Sequence, residues 1–158
     1  MKSKNIWGLV CSVIICEVAG AIGAIFVMPN ISGWYSTLVK SSLNPPAFVF
    51  GPVWTLLYFL MGIAVFIIWN KGKERKDVRH AVKVFSFQLL LNILWSILFF
   101  GLQNPLLALV DIVLLWLAIV WTIIAFYKIS KGAAWILAPY LLWVSFALYL
   151  NLTVCRLN

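Results

Sequence analysis

Residues 106–127 read LLALVDIVLLWLAIVWTIIAFY, an apolar run holding a single acidic side chain, Asp111, and no basic one. A helix crossing a hydrocarbon core of ~30 Å needs about 20 such residues, at 1.5 Å of rise each. Four further stretches satisfy the same requirement, at residues 6–28, 51–70, 81–101 and 133–155. None alternates apolar with polar residues as a barrel wall would, so each is expected to be a helix. The composition agrees: 65% of the chain is hydrophobic, 10% is charged, and the mean hydropathy is +1.06. Soluble domains carry roughly 45–50% apolar and about 25% charged residues. The expectation is an all-α membrane protein, one domain over residues 1–158, built as a bundle of five transmembrane helices.

The first run is longer than the apolar core of a signal peptide. It also contains Glu17, and no small-residue cleavage site follows Met28, so it is read as a helix that stays. Charge then sets the expected orientation. With five spans, Lys2, Lys4, Lys71, Lys73, Arg75, Lys76, Arg79, Lys83, Lys128 and Lys131 fall on one side, and Lys40 and Arg156 on the other. Basic loops stay in the cytoplasm. A multi-pass protein of the cell membrane follows, with its N-terminus cytoplasmic and its C-terminus outside. The basic loop at 71–83 is a solvated surface that also suits anionic lipid heads. This distribution, and not affinity for nucleic acid, accounts for the net charge of +8.

The first connection, residues 29–50, is long and unusually apolar, with Ile31, Trp34, Tyr35, Leu38, Leu43, Phe48, Val49 and Phe50. Asn44-Pro45-Pro46 forbids regular helix there. A loop of this kind packs on something, and a cap over one end of the bundle is expected. Small residues recur in the first span at Ser12, Cys16, Gly20 and Ala24, with Ala19 and Gly23 beside them. Such a stripe permits close helix approach in lipid, within the chain or to a second copy.

Polar side chains inside spans face the protein interior or a cavity. Gln88, Asn92 and Ser96 share one face of the third span. Trp143, Ala147 and Asn151 share one on the fifth, and Trp54 with Tyr58 one on the second. Trp7, Trp34, Trp69 and Trp135 fit an interfacial belt, whereas Trp95, Trp116, Trp121 and Trp143 lie deeper. Two readings follow: an aromatic cavity for a large, flat, apolar ligand, or amides that merely bond neighbouring helices. Glu17 and Asp111, acids within spans, are functional candidates. Catalytic machinery is not apparent. His80 is the sole histidine, and Cys11, Cys16 and Cys155 form neither a metal cluster nor a disulfide framework.

Several blocks carry a resemblance. They are Trp34-Tyr35, Asn44-Pro45-Pro46, the run Phe50-Gly51-Pro52-Val53-Trp54-Thr55-Leu56-Leu57-Tyr58, and Met61-Gly62. Gln88-Leu89, Leu91-Asn92, Trp95 and Phe99-Phe100 follow, then Ala108-Leu109-Val110-Asp111, Pro139-Tyr140-Leu141-Leu142-Trp143 and Leu150-Asn151. In this order and spacing the chain resembles the TspO/MBR family, comprising bacterial tryptophan-rich sensory proteins and the mitochondrial translocator protein or peripheral benzodiazepine receptor. The resemblance implies a homodimer of five-helix bundles whose first loop folds over a ligand cavity. It implies porphyrins (protoporphyrin IX, haem), membrane lipid and benzodiazepine-site compounds as partners, with no required cofactor and no metal.

The family's cavity positions correspond here to Tyr35, Pro45, Trp54, Tyr58, Asn92, Trp95, Phe99, Trp143, Phe146, Ala147 and Asn151. Animal members carry a tyrosine directly after the Leu-Asn pair, within a sterol-recognition pattern. Leu152 stands there in this chain, which counts against sterol handling. The expected function is binding of protoporphyrin IX and its light-dependent oxidative degradation, with Trp54 and Trp143 as electron-donating indoles. A porphyrin or lipid carrier, and a ligand sensor without turnover, are the alternatives.

Overall fold

The computed structural model describes residues 3–158, with side chains from Ile6 onward. The charges of Lys2 and Lys4 lie outside the side chains so described. Among the described residues the chain is helical throughout, with five helices long and apolar enough to cross a membrane. The first is α1 (Ser3–Ile31), followed by the short α2 (Trp34–Thr37) and the second span, α3 (Ala47–Trp69). The third span is α4 (Lys76–Ser96), which continues into one wide π turn at Ile97–Gly101. The fourth is α5 (Pro105–Tyr127), and the fifth is divided into α6 (Lys131–Ile136) and α7 (Ala138–Leu157).

The helices overrun the lengths expected from hydropathy, for local reasons. Pro29 lies in the last turn of α1, so the helix reaches Ile31 rather than ending at Met28. Pro46 stands at the N-cap of α3, and the helix runs on through Pro52, its sixth residue, with one amide bond missing. The second span therefore begins at Ala47, not Gly51. Polar residues add a turn to α4, which starts at Lys76 rather than Ala81 and shortens the basic loop. There Arg75 pairs with Asp77 at 2.6 Å.

Two irregularities shape the interior. At the end of α4 the Leu102 amide bonds the Ile97 carbonyl, five residues back, at 2.7 Å. The wide turn brings the consecutive residues Phe99 and Phe100 both inside, at 3% and 6% exposure. In the fifth span Pro139 lacks an amide donor and crowds the carbonyl four residues earlier. The helix accordingly breaks at Leu137.

The bundle closes as a ring, with α1 against α3 and α4, α4 against α5, α5 against α7, and α6 against α3. The small-residue stripe of α1 is used within the chain. Cys16 and Ala19 are buried, the Tyr58 ring lies over Gly20, and Ser96 lies against Gly23. Further along the contact Gly62 meets the α1 backbone, where a Cβ would lie 2.5 Å from the Val13 Cα. Large apolar side chains on the other faces, among them Ile15, Leu90, Leu117 and Leu142, are exposed, as lipid contact requires. Trp121 belongs with them. It is half exposed beside His80 at the basic end, so the deeper interior position expected for it does not hold.

At the opposite end, α2 and the 38–46 segment form a lid. Tyr35 is buried among Phe50, Phe99 and Phe100, and its hydroxyl donates to the Asn44 side-chain oxygen at 2.8 Å. Lys40 closes α2, donating to the Tyr35 and Leu38 carbonyls at 2.8 Å each. The lid is tied to α7: Asn158 exchanges two hydrogen bonds with the Val39 backbone, and Ser41 meets the Tyr149 hydroxyl at 3.2 Å.

Gly62→Ala is expected to destabilise the bundle by about 1–3 kcal/mol, because the clashing atoms are backbone and cannot rotate away. Gly132→Ala, where a Cβ meets nothing, should leave stability unchanged or raise it. Thermal unfolding of both variants in detergent checks the contrast.

Candidate ligand cavity

A cavity of about 510 Å³ lies beneath the lid in the half of the bundle next to it. This volume falls within the range of small-molecule sites, ~300–1,000 Å³. Its walls come from α1, α3, α4 with the π turn, and α7, and its roof from Tyr35 and Phe50. Nine of the family positions border it: Tyr35, Trp54, Tyr58, Asn92, Trp95, Phe99, Trp143, Ala147 and Asn151. Pro45 and Phe146 do not. Pro45 shapes the turn under Asn44, which donates to its carbonyl at 3.1 Å, and Phe146 packs behind Trp143 at 5.7 Å between ring centres.

The aromatic rings form two connected groups. Trp95 stacks on Phe99 at 5.1 Å, and Phe99 meets Trp34 of the lid edge-on. Phe50 links the roof to the wall, lying edge-on to both Tyr35 and Trp143. Across the cavity Trp54 leans on Tyr58 at 5.8 Å and meets Tyr140 edge-on. Such faces suit a flat, apolar ligand.

Most of the amides are committed to one another. The Tyr58 hydroxyl donates to the Asn92 side-chain oxygen at 2.6 Å, and the Asn92 amide donates to the Tyr140 hydroxyl at 2.7 Å. Tyr140 donates in turn to the Gln88 oxygen at 2.8 Å, and the Gln88 amide reaches Met61 Sδ at 3.8 Å. This chain joins α3, α4 and α7 through side chains that are almost wholly buried. Nearer the lid the Trp95 indole donates to the Asn151 oxygen at 3.0 Å, and the Asn151 amide donates to the Pro105 carbonyl at 2.9 Å. Trp116 donates to Ser145 at 2.8 Å, outside the cavity. Of the two alternatives left open by the sequence, the amides do bond neighbouring helices, and an aromatic-lined cavity lies beside them.

Two buried polar atoms lack partners among the described residues, Trp143 Nε1 and Asp111 Oδ2. Trp143 borders the cavity, whereas Asp111 is buried on α5, away from its walls. The α1 wall, with Gly20, Gly23, Ala24, Val27 and Ile31, was not singled out as site from sequence, and neither were Phe50 or Phe100. Glu17 was a functional candidate and Ser96 part of an inward stripe, without either being assigned to the cavity. The small-residue stripe was the available signal for the glycines. Nothing in sequence spacing could show that the two phenylalanines of the π turn both face inward.

The cavity is not sealed. Its exposed lining residues, Ala21 and Met28 on α1 and Ala47, Phe48, Gly51 and Thr55 on α3, all belong to those two helices, which marks the opening between them. The opening faces the side of the bundle, where lipid would lie.

Asn92→Leu should strand the Tyr58 hydroxyl and remove a partner of Tyr140, at a cost of about 1–3 kcal/mol for each stranded group. Tyr58→Phe strands only the Asn92 oxygen and leaves the Asn92–Tyr140–Gln88 links intact, so it should cost less, about 1–3 kcal/mol for that single group. Denaturation in mixed detergent gives the order, and equal losses for the two variants would show that Asn92 is not the junction.

Comparison with known proteins agrees with this architecture. The family model described as the TspO/MBR family matches residues 12–157. The chain is 47% identical to the tryptophan-rich protein TspO of Chlorobaculum tepidum over 156 residues, 99% of each chain. It is 46% identical to the protein of the same name from Archaeoglobus fulgidus, over 98% of this chain and 99% of that one. The human translocator protein is 38% identical over 87% of this chain and 82% of its own length. With five apolar helices, a roofed cavity between them and a family match along nearly its whole length, this multi-pass membrane protein belongs to the TspO/MBR family.

Proposed function

We propose that the protein binds tetrapyrroles in the cavity under the lid and promotes light-dependent oxidative degradation of protoporphyrin IX. The observation that supports this reading is the pair of indoles on separate walls, Trp54 on α3 and Trp143 on α7, bordering one aromatic space. A bound tetrapyrrole supplies the absorption of light. The chain supplies flat faces for stacking, a lid that limits water, and indoles positioned to give up an electron. Dioxygen dissolved in the membrane is the oxidant that takes up the electrons lost by the porphyrin. Trp143 Nε1, buried without a partner, is a donor available to a ligand acceptor. The aromatic walls suit the flat ring system of such a ligand, and ligand-binding roles for the nine bordering positions are proposed with it. Haem and benzodiazepine-site compounds would use the same walls.

The orientation proposed with this reading places the basic end in the cytoplasm and the lid outside, as the positive-inside rule directs. A homodimer is proposed from family resemblance. Its contact cannot use the Cys16–Gly20–Gly23 stripe, which is occupied within the chain.

A second reading, carriage of porphyrin or lipid, is favoured by the lateral gap between α1 and α3, which gives a membrane-dissolved molecule direct access. The two readings separate in the dark, where carriage into liposomes proceeds and degradation does not.

Trp54→Phe and Trp143→Phe are expected to retain protoporphyrin IX binding while slowing its bleaching under illumination, followed by absorbance. Bleaching at the parent rate in both variants would rule out the indoles as electron donors.

A further inference from the structure

Glu17 is the one acidic side chain bordering the cavity. It forms no ion pair, and its carboxyl takes part in no hydrogen bond among the described residues. The polar groups around it are spent. Gly20, one turn further along α1, carries the Tyr58 ring, and the Tyr58 hydroxyl is given to Asn92.

The position of Glu17 is as informative as its lack of partners. On α1 it begins the row Glu17, Ala21, Ala24 and Met28, all of which border the cavity, and it occupies the end of that row furthest from the lid. It lies 14 residues before the end of α1 at Ile31, and Trp143 lies 14 residues before the end of α7 at Leu157. At 1.5 Å per residue both are roughly 21 Å below the lid end. The deepest part of the cavity thus carries one free acceptor and, on another wall, one free donor.

An acidic group in an apolar cavity within a membrane is costly unless a partner offsets it. Among the described residues no side chain pairs with Glu17, which leaves the ligand to supply a partner. A carboxylate there disfavours anionic groups at the floor and favours a protonated amine, which pairs with it by a charge-assisted hydrogen bond. The row of small side chains leading inward from the lateral gap gives a flat molecule a path to it.

We propose that Glu17 is a recognition carboxylate at the cavity floor, and that the cavity takes flat, lipophilic amines, seated with the nitrogen against Glu17 and the rings between the aromatic walls. This proposal rests on the reading of the cavity as a ligand site, and it adds a substrate class that the tetrapyrrole assignment does not contain. It also orients an anionic ligand, whose carboxylates would have to point away from the floor and toward the lid, where Lys40 lies.

The test uses the whole protein in nanodiscs of zwitterionic lipid, with protein-free discs subtracted. The probes are 1-pyrenemethylamine and its carbon isostere 1-ethylpyrene, read by energy transfer from tryptophan. The parent should bind the amine at least about tenfold more tightly than the isostere, equivalent to about 1.4 kcal/mol. Glu17→Gln should abolish that preference while still binding both pyrenes, and Glu17→Asp should restore part of it. Persistence of the full preference in Glu17→Gln, or no preference in the parent, would overturn the assignment of Glu17. Protoporphyrin IX is titrated separately into the parent. If it binds while the amine preference is absent, only the Glu17 proposal fails. If neither pyrene nor porphyrin binds, the cavity reading fails with it.

Discussion

Inside a bilayer, a side-chain hydroxyl or amide that finds no partner within the protein finds none at all. The run Tyr58–Asn92–Tyr140–Gln88 answers that constraint, and the architecture depends on it. Four buried polar side chains from three spans satisfy one another in a single chain of hydrogen bonds. Helices in lipid gain little from apolar contact alone, because lipid tails are as apolar as leucine. The polar chain supplies specificity that packing could not. It sets α3, α4 and α7 at a fixed spacing below the lid, and that spacing leaves room for the cavity.

Close approach elsewhere complements this separation. Gly62 against the Val13 backbone, and Gly20 against the Tyr58 ring, draw α1 tightly onto α3. Toward the lid the exposed edge of the cavity runs along these same two helices. The same pair of helices is therefore a tight contact at one depth and an opening at another. The lid adds a third restraint, since Asn158 and Tyr149 bind it to the end of α7 while Tyr35 anchors it among the phenylalanines of the π turn.

The division of labour among the polar residues bears directly on ligand chemistry. Amides that in isolation look like ligand contacts are occupied as structural bonds. Asn92 and Asn151 border the cavity, yet each spends both its oxygen and its amide on the protein. What remains for a ligand is the aromatic surface, the Ser96 hydroxyl, the Trp143 indole and the Glu17 carboxyl. Shape and stacking should therefore dominate affinity, with few polar groups left to set orientation.

Much was legible in the sequence because hydropathy and period are local properties. Five apolar runs of sufficient length fix five spans. The four-residue spacing of Gln88, Asn92 and Ser96 fixes which face of the third turns inward, and all three are buried. The apolar proline-containing first connection implies a lid, and family motifs assign the chain to its family. Other features depend on contacts between residues distant in sequence. Which amide bonds which hydroxyl was not decidable from spacing, nor was the burial of both Phe99 and Phe100 through a widened turn. The helices' true ends were set by proline positions and polar caps that hydropathy does not register. Only the folded bundle decided that Glu17 borders the cavity while Asp111 does not, because a helix face acquires its meaning from the helix packed against it.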